Sequence, residues 1–232
     1  MRRIIWVIDQ LLRALRLDWI KAFLPKKGYL YTTGWIKSTV SKKPIDRSRK
    51  PIPWLTYSFL EFLEPRLKKD MKVFEYGSGN STLWFSSRVE SVNSVEHNQS
   101  WHDYIKSSFP GNVKLTLRKY PDENIDFHER AFLPFSRESD YSKYIMETDI
   151  VYDIIVVDGI DRNNSIKYAL ERASNSGVII VDNLEYEKEF SEGVQYLYEN
   201  GFKLIPFWGL SPGVHHKTCT GVFYKLNNCL GI

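Results

Sequence analysis

From residue 72 onward, short apolar runs alternate with stretches whose apolar positions recur at helical spacing. That pattern predicts strands alternating with helices. The runs place strands at 72–76, 92–96, 112–117, 151–158, 177–182, 202–207 and 218–226. Helices are predicted at 80–88, 98–107, 163–173 and 185–200, with a polar insertion at 120–140 and a short helix near 141–147. The runs Val151–Asp158 and Gly177–Asp182 are short, β-branched and closed by an acid, as buried parallel strands are. The expected class is α/β, with a doubly wound, mostly parallel, seven-stranded sheet.

The chain before this sheet reads differently. Residues 4–24 carry Ile4, Ile8, Leu11, Leu12, Leu15 and Ile20 near one helical face, with Arg13, Arg16 and Lys21 off it. This is an amphipathic helical arm. Asp9, Gln10 and Arg13 interrupt its apolar run too early for a signal peptide. Trp6 and Trp19 suit a membrane interface, and packing on its own domain or on a second subunit is the other reading. Residues 25–53, with Pro25, Gly28, Gly34, Pro44, Pro51 and Pro53, read as an irregular connector. A helix beginning at Pro53 leads into the first strand. The expected division is an arm and connector at 1–53 and a ligand-binding domain at 54–232.

Composition narrows the function classes. With 43% hydrophobic and 15% aromatic residues, a substantial core is expected and disorder is excluded. A net charge of +4 is too mild for a dedicated nucleic-acid binder, so no base-specific contact is expected. Much of the excess lies in the first fifty residues, in Lys42, Lys43, Arg47, Arg49 and Lys50 among others. Two cysteines without a CxxC motif argue against a disulfide framework or structural zinc, and fit a reducing cytoplasm.

The chemistry concentrates in Lys72-Val-Phe-Glu-Tyr-Gly-Ser-Gly-Asn-Ser-Thr-Leu-Trp84. Gly77 and Gly79 allow a tight turn and close approach of backbone N–H groups to a ligand. A dinucleotide fingerprint wants a third glycine three positions on, where Thr82 stands, and Glu75 would repel a diphosphate. Glu96, ending the second strand, suits two ribose hydroxyls. The pattern resembles the class I S-adenosylmethionine (SAM) dependent methyltransferases, in particular bacterial members, whose first motif is acidic-x-Gly-x-Gly. The resemblance implies a Rossmann-like fold closed by an antiparallel hairpin, with cofactor contacts from Glu75, Tyr76, Gly77, Ser78, Gly79, Ser81, Thr82, Glu96, His97, Asp122 and Asp158. It implies methyl transfer, expected at oxygen, to a small or medium-sized acceptor. A non-catalytic nucleotide-binding module tethered by its N-terminal helix is the alternative.

Sequence from the fourth and fifth strands suggests how a proton could be removed. Asp158, followed by Asp182 and Asn183, resembles the catechol and caffeoyl-CoA type O-methyltransferases, in which such a trio binds a divalent cation. That resemblance implies Mg²⁺ on Asp158, Asp182 and Asn183. Equally, Asp158 can be a ligand-contacting acid in a metal-free site, and Asp182–Asn183 can cap a helix. The family places a lysine base three residues after its first Asp, where this chain has Asp161 and then Arg162. Catalytic candidates are therefore Asp158, Asp161 (alternatively a helix N-cap) and His215, with His216 beside it, in the 209–217 loop. The 120–140 insertion, with His128 and Glu129, reads as a surface loop or partial lid. Trp54 and Tyr57 either close over the cofactor or belong to the core. A cytoplasmic location is expected, with peripheral membrane contact or homo-oligomer formation through residues 1–24 as open possibilities.

Overall fold

The computed structural model describes residues 2–23, 27–120, 126–186 and 188–232. Seven strands form one sheet: β1 (Lys72–Tyr76), β2 (Ser91–Glu96), β3 (Val113–Leu117), β4 (Tyr152–Val157), β5 (Ala173–Asp182), β6 (Lys203–Gly209) and β7 (Thr218–Tyr224). Their spatial order is β3-β2-β1-β4-β5-β7-β6. Pairs among the first five strands are parallel, while β5–β7 and β6–β7 are antiparallel. The doubly wound, mostly parallel sheet with a closing hairpin is as expected. Each predicted strand lies within a few residues of its observed bounds. β5 is the exception, running from Ala173 with a register shift against β4.

Ten helices are described: α1 (Arg2–Ala14), α2 (Tyr29–Thr32), α3 (Trp35–Ser41), α4 (Tyr57–Leu63), α5 (Asn80–Ser86), α6 (Gln99–Ile105), α7 (Phe127–Ala131), α8 (Asp140–Lys143), α9 (Arg162–Arg172) and α10 (Ser191–Glu199). The sheet is buried on both faces because its strands alternate between two sets of apolar neighbours. Phe74, Ile155, Val157, Ile179 and Val181 meet Ile166 of α9 and Leu197 of α10. On the other face, Val73, Ile154, Val156 and Ile180 meet Phe59 and Leu63 of α4 and Phe85 of α5. Each such side chain contributes roughly 1.5–3 kcal/mol on leaving water, so the sheet stands as a rigid base for its loops.

Three sequence expectations are corrected here. The connector is not wholly irregular, because α2 and α3 form within it. Trp35 donates its indole N–H to the carbonyl of Val214 (2.7 Å), and Asn80 donates to the carbonyl of Pro44 (2.7 Å). Long-range contacts of this kind hold segments that local composition marks as loop. The helix expected at 185–200 starts only at Ser191, and Asp182–Asn183 caps no helix. The arm breaks after Ala14 at Arg16 (φ 55°) into a 3₁₀ turn, Asp18–Phe23.

Register sets the site. Tyr76 lies opposite Val95 and Val157, and Val157 lies opposite Val181. The next residues, Gly77, Glu96, Asp158 and Asp182, therefore form one row along the carboxyl ends of the strands. The strand order reverses beside β1, and a crevice opens there, where ligands bind in such sheets.

Candidate functional site

The turn after β1 is built by backbone bonds to both neighbouring strands. Gly77 N–H donates to the carbonyl of Val95 (2.9 Å), and Asp158 N–H donates to that of Tyr76 (3.1 Å). Gly77 holds φ 100°, and a β-carbon there would stand 3.0 Å from the Asp158 carbonyl oxygen. Gly159 is needed for space alone: its β-carbon would fall 1.9 Å from the Tyr141 hydroxyl. Two expected ligand contacts prove to be supports. Tyr76 is fully buried and donates its hydroxyl to the Ser142 carbonyl (2.8 Å). Thr82, also fully buried, accepts the Gly79 N–H (3.0 Å) and thereby fixes the start of α5.

Glu75 and Glu96 differ in a way that matters for a ligand. Glu75 is 2% exposed, and its Oε2 has no hydrogen-bond partner among the described residues. Burial pushes its pKa up to about 7, against the lowering effect of the Thr82 and Ser81 hydroxyls. A buried, unpartnered carboxylate oxygen is costly and has the chemistry to accept from a cationic donor. Glu96 is also buried, which alone would raise its pKa, but its oxygens are well served. Oε1 accepts the N–H groups of His97 (2.9 Å) and Asn98 (2.8 Å), the His97 Nδ1 stands 3.2 Å away, and Oε2 accepts the Ser78 hydroxyl (2.8 Å). These groups hold it below the ordinary range, so it is an anion with lone pairs to spare.

Three cavities adjoin at Asp158. One of about 440 Å³ lies over Gly77 and Ser78 and is walled by Glu96, His97, Trp101 and Arg130. A second, about 490 Å³, runs past Gly79 and Ser81 between Lys42, Lys43, Trp54 and Trp101. A third, about 390 Å³, is lined by Trp54, Arg162, Asp182, Glu185, Tyr186 and His216. Asp158 lines all three. Burial raises its pKa to about 6, opposed by Arg162 and reinforced by Glu185. Trp54 is exposed and stands between the second and third cavities, whereas Tyr57 is buried among core residues.

The expected cation site is filled by protein. Arg162 is buried, and its guanidinium donates to the carbonyls of Gly159 (2.8 Å) and Asp182 (2.8 Å) and to the side chains of Asn183 (2.9 Å) and Asp158 (3.3 Å). Asp182 accepts the Thr220 hydroxyl (2.6 Å), and burial together with nearby Asp158 raises its pKa well above the ordinary Asp value. A fixed guanidinium bonded to Asp158, Asn183 and the Asp182 carbonyl does not suit Mg²⁺ at the same place. The proposed ligands Asp158, Asp182 and Asn183 are thus brought together, but around an arginine.

Asp161 is likewise corrected. It sits at the N-cap of α9 (φ 51°), fully buried, with Oδ2 accepting the Ser139 N–H (3.0 Å) and hydroxyl (2.5 Å) and Oδ1 accepting Asn164 (2.7 Å). Its carboxylate is committed to tying the insertion to the sheet and faces none of the three cavities. His215 is exposed and packs edge-on to Trp35 (centroids 5.1 Å), while His216 faces the third cavity. Asp122 lies outside the described residues. His97 and Ser81 line cavities as expected, whereas His128 packs edge-on against Tyr186 (5.6 Å).

Sequence reasoning missed Trp101, whose indole N–H donates to the Ser78 carbonyl (2.8 Å) and lays its ring over the glycine turn. Its place in the first turn of α6, on the ligand side of Glu96, is the signal that could have found it. Lys42 and Lys43 were missed because only the folded connector brings them to a cavity.

No protein-family model matches the chain, and no curated protein sequence does. Solved structures do share its fold. Precorrin-6y C5,15-methyltransferase from Geobacter metallireducens GS-15 is 15% identical over 72% of this chain and 87% of its own, with a TM-score of 0.51. A methyltransferase-like protein from Silicibacter pomeroyi DSS-3 is 17% identical over 75% and 89%, with a TM-score of 0.51. The O-methyltransferase TomG from Streptomyces achromogenes, solved with SAM, is 13% identical over 72% and 78%, with a TM-score of 0.50. The chain has the Rossmann-like methyltransferase fold.

Two outcomes follow from the site's electrostatics. Arg162→Met leaves Asp158 and the ends of β4 and β5 without their buried cation, and should cost about 3–5 kcal/mol of stability. Thermal unfolding should show a melting temperature lower by roughly 10 °C, and unchanged melting would contradict this role. Because the free site holds a proton on Glu75 up to pH near 7, an ammonium-bearing ligand that needs the anion displaces that proton. Affinity for an ammonium-bearing ligand in the crevice should rise about tenfold from pH 6 to pH 8 and then level off. In Glu75→Gln the rise should vanish, as read by calorimetry across that range.

Proposed function

We propose that this protein is a SAM-dependent methyltransferase acting on a hydroxyl of a small or medium-sized acceptor. The observation that carries the reading is the position of Asp158, in the wall of both the cavity beside Glu96 and the cavity beside His216. A methyl donor lying in the first would present its reactive carbon at the mouth of the second.

The residues present fit that cofactor. Glu96 offers Oε2, which accepts from Ser78 alone, for a ribose hydroxyl. Glu75, which lines none of the three cavities but lies directly beneath the glycine turn, carries an unpartnered oxygen for the ammonium of the methionine portion. His97 and Arg130 border the adenine end, and Trp101 covers the glycine turn. SAM supplies an activated methyl group, so the protein has to align the acceptor and accept its proton. Asp158 is our candidate base. Its raised pKa brings it nearer to neutrality, and Arg162 favours the ionised form. Trp54 and Tyr186 provide aromatic walls for the acceptor, and His216 a further polar contact. Arg162 supplies the positive charge at the place where a divalent cation was expected. The solved structures of the same fold include an O-methyltransferase, TomG, which accords with this reading.

Calorimetry should detect S-adenosylhomocysteine binding to the intact chain, weakened at least about tenfold in Glu96→Ala by loss of a charge-assisted hydrogen bond. In assays of methyl transfer over a panel of hydroxyl acceptors, Asp158→Asn should lower kcat about a hundredfold and leave S-adenosylhomocysteine affinity nearly unchanged. Chelators should have no effect. Heat with NAD or ATP but none with S-adenosylhomocysteine would replace this reading with that of a nucleotide-binding module.

A further inference from the structure

The N-terminal helix takes no part in the site or the core. No residue of α1 belongs to either core cluster. Ile4, Ile8, Leu11 and Leu15 share one face and are each 50–65% exposed, and Trp6 and Trp19 are more than 60% exposed. Exposed apolar side chains occur elsewhere too, Val40, Tyr104 and Leu226 among them, but a continuous stripe along one helix face marks a contact surface. The charge around the stripe is mostly positive. Residues 2–23 contain five arginines or lysines against two aspartates. Asp9 is already taken up by Arg13 (3.2 Å) and Lys21 (2.5 Å), and Arg16 is exposed. Lys42, Lys43, Arg47, Arg49 and Lys50 add a second exposed basic run in the connector.

We propose that α1 and the turn after it dock the protein on the surface of an anionic lipid bilayer. At thirteen residues α1 is roughly 20 Å long, short of the apolar thickness of about 30 Å. No helix among the described residues is long and apolar enough to cross a membrane. The helix therefore lies along the interface, with its aliphatic face among the acyl chains and its cations at the headgroups. Tryptophan is the side chain best suited to that boundary. The charge distribution favours lipid over a second copy of the chain. Pairing two such stripes would bring two basic borders together, whereas phosphate headgroups neutralise them.

The test is cosedimentation of the intact protein with phosphatidylcholine vesicles, with and without phosphatidylglycerol. Binding should require the anionic lipid and fall as salt is raised. Leu11→Asp/Leu15→Asp should abolish it, and Arg13→Gln/Arg16→Gln should weaken it roughly twenty-five-fold, at about fivefold for each charge. Both variants should keep the wild-type melting temperature, because α1 lies outside the core. Equal binding to both vesicle types, or binding to neither, would overturn the proposal. So would a dimer in sedimentation equilibrium that Leu11→Asp/Leu15→Asp converts to monomer, which would assign the stripe to a second copy.

Discussion

Everything in the site descends from the reversal of strand order at β1. Parallel strands on both sides of β1 send their chains to opposite faces of the sheet, so the tips of β1 and β4 part and leave a crevice. Backbone bonds that tie the end of β1 to β2 and to the end of β4 shape the Gly77 turn. The crevice floor is thus as rigid as the sheet beneath it. Carboxylates placed there lose water on one side and become sensitive to whatever occupies the other. Glu75 and Asp158 are displaced upward in pKa for that reason, while Glu96, supplied with N–H and O–H donors, is displaced downward.

Arg162 settles how the second half of the rim is held. The sequence pattern Asp158…Asp182–Asn183 resembles a set of metal ligands, and the side chains do converge. They converge on a guanidinium whose donors are distributed over two carbonyls, an amide and a carboxylate. A planar donor fork can bridge strand tips in a way a spherical ion cannot. It also supplies permanent positive charge at a point where a lysine or an ion could be lost with pH or chelation. The proposed chemistry therefore leans on the protein's own cation.

Much of this was readable before any coordinates, and the limits have physical causes. Buried strands announce themselves through local composition, because both of their faces must be apolar; β4 and the end of β5 are cases in point. The glycine turn and Glu96 were readable because a tight turn at a strand end restricts which residues can stand there. Side-chain direction was not. Whether His215 or His216 meets the cavity depends on the path of a loop pinned by Trp35 from a distant helix. Asp161 and Asp158 are three residues apart, yet a left-handed turn sends one into the interior and leaves the other at the mouth. The commitments of Arg162 were equally hidden, since its partners lie in the turn after β4 and at the end of β5. Helices α2 and α3 escaped notice because distant contacts hold them among prolines and glycines that locally mark a loop.

The central claim is that a sulfonium nucleoside lies across the tips of β1, β2 and β4. The most direct measurement is a crystal structure of the intact protein with S-adenosylhomocysteine. The account predicts the ribose hydroxyls on the carboxylate of Glu96, the ammonium on Oε2 of Glu75, and the sulfur facing Asp158. Density for the nucleoside away from Glu96, or a crevice that stays empty at saturating ligand, would contradict it.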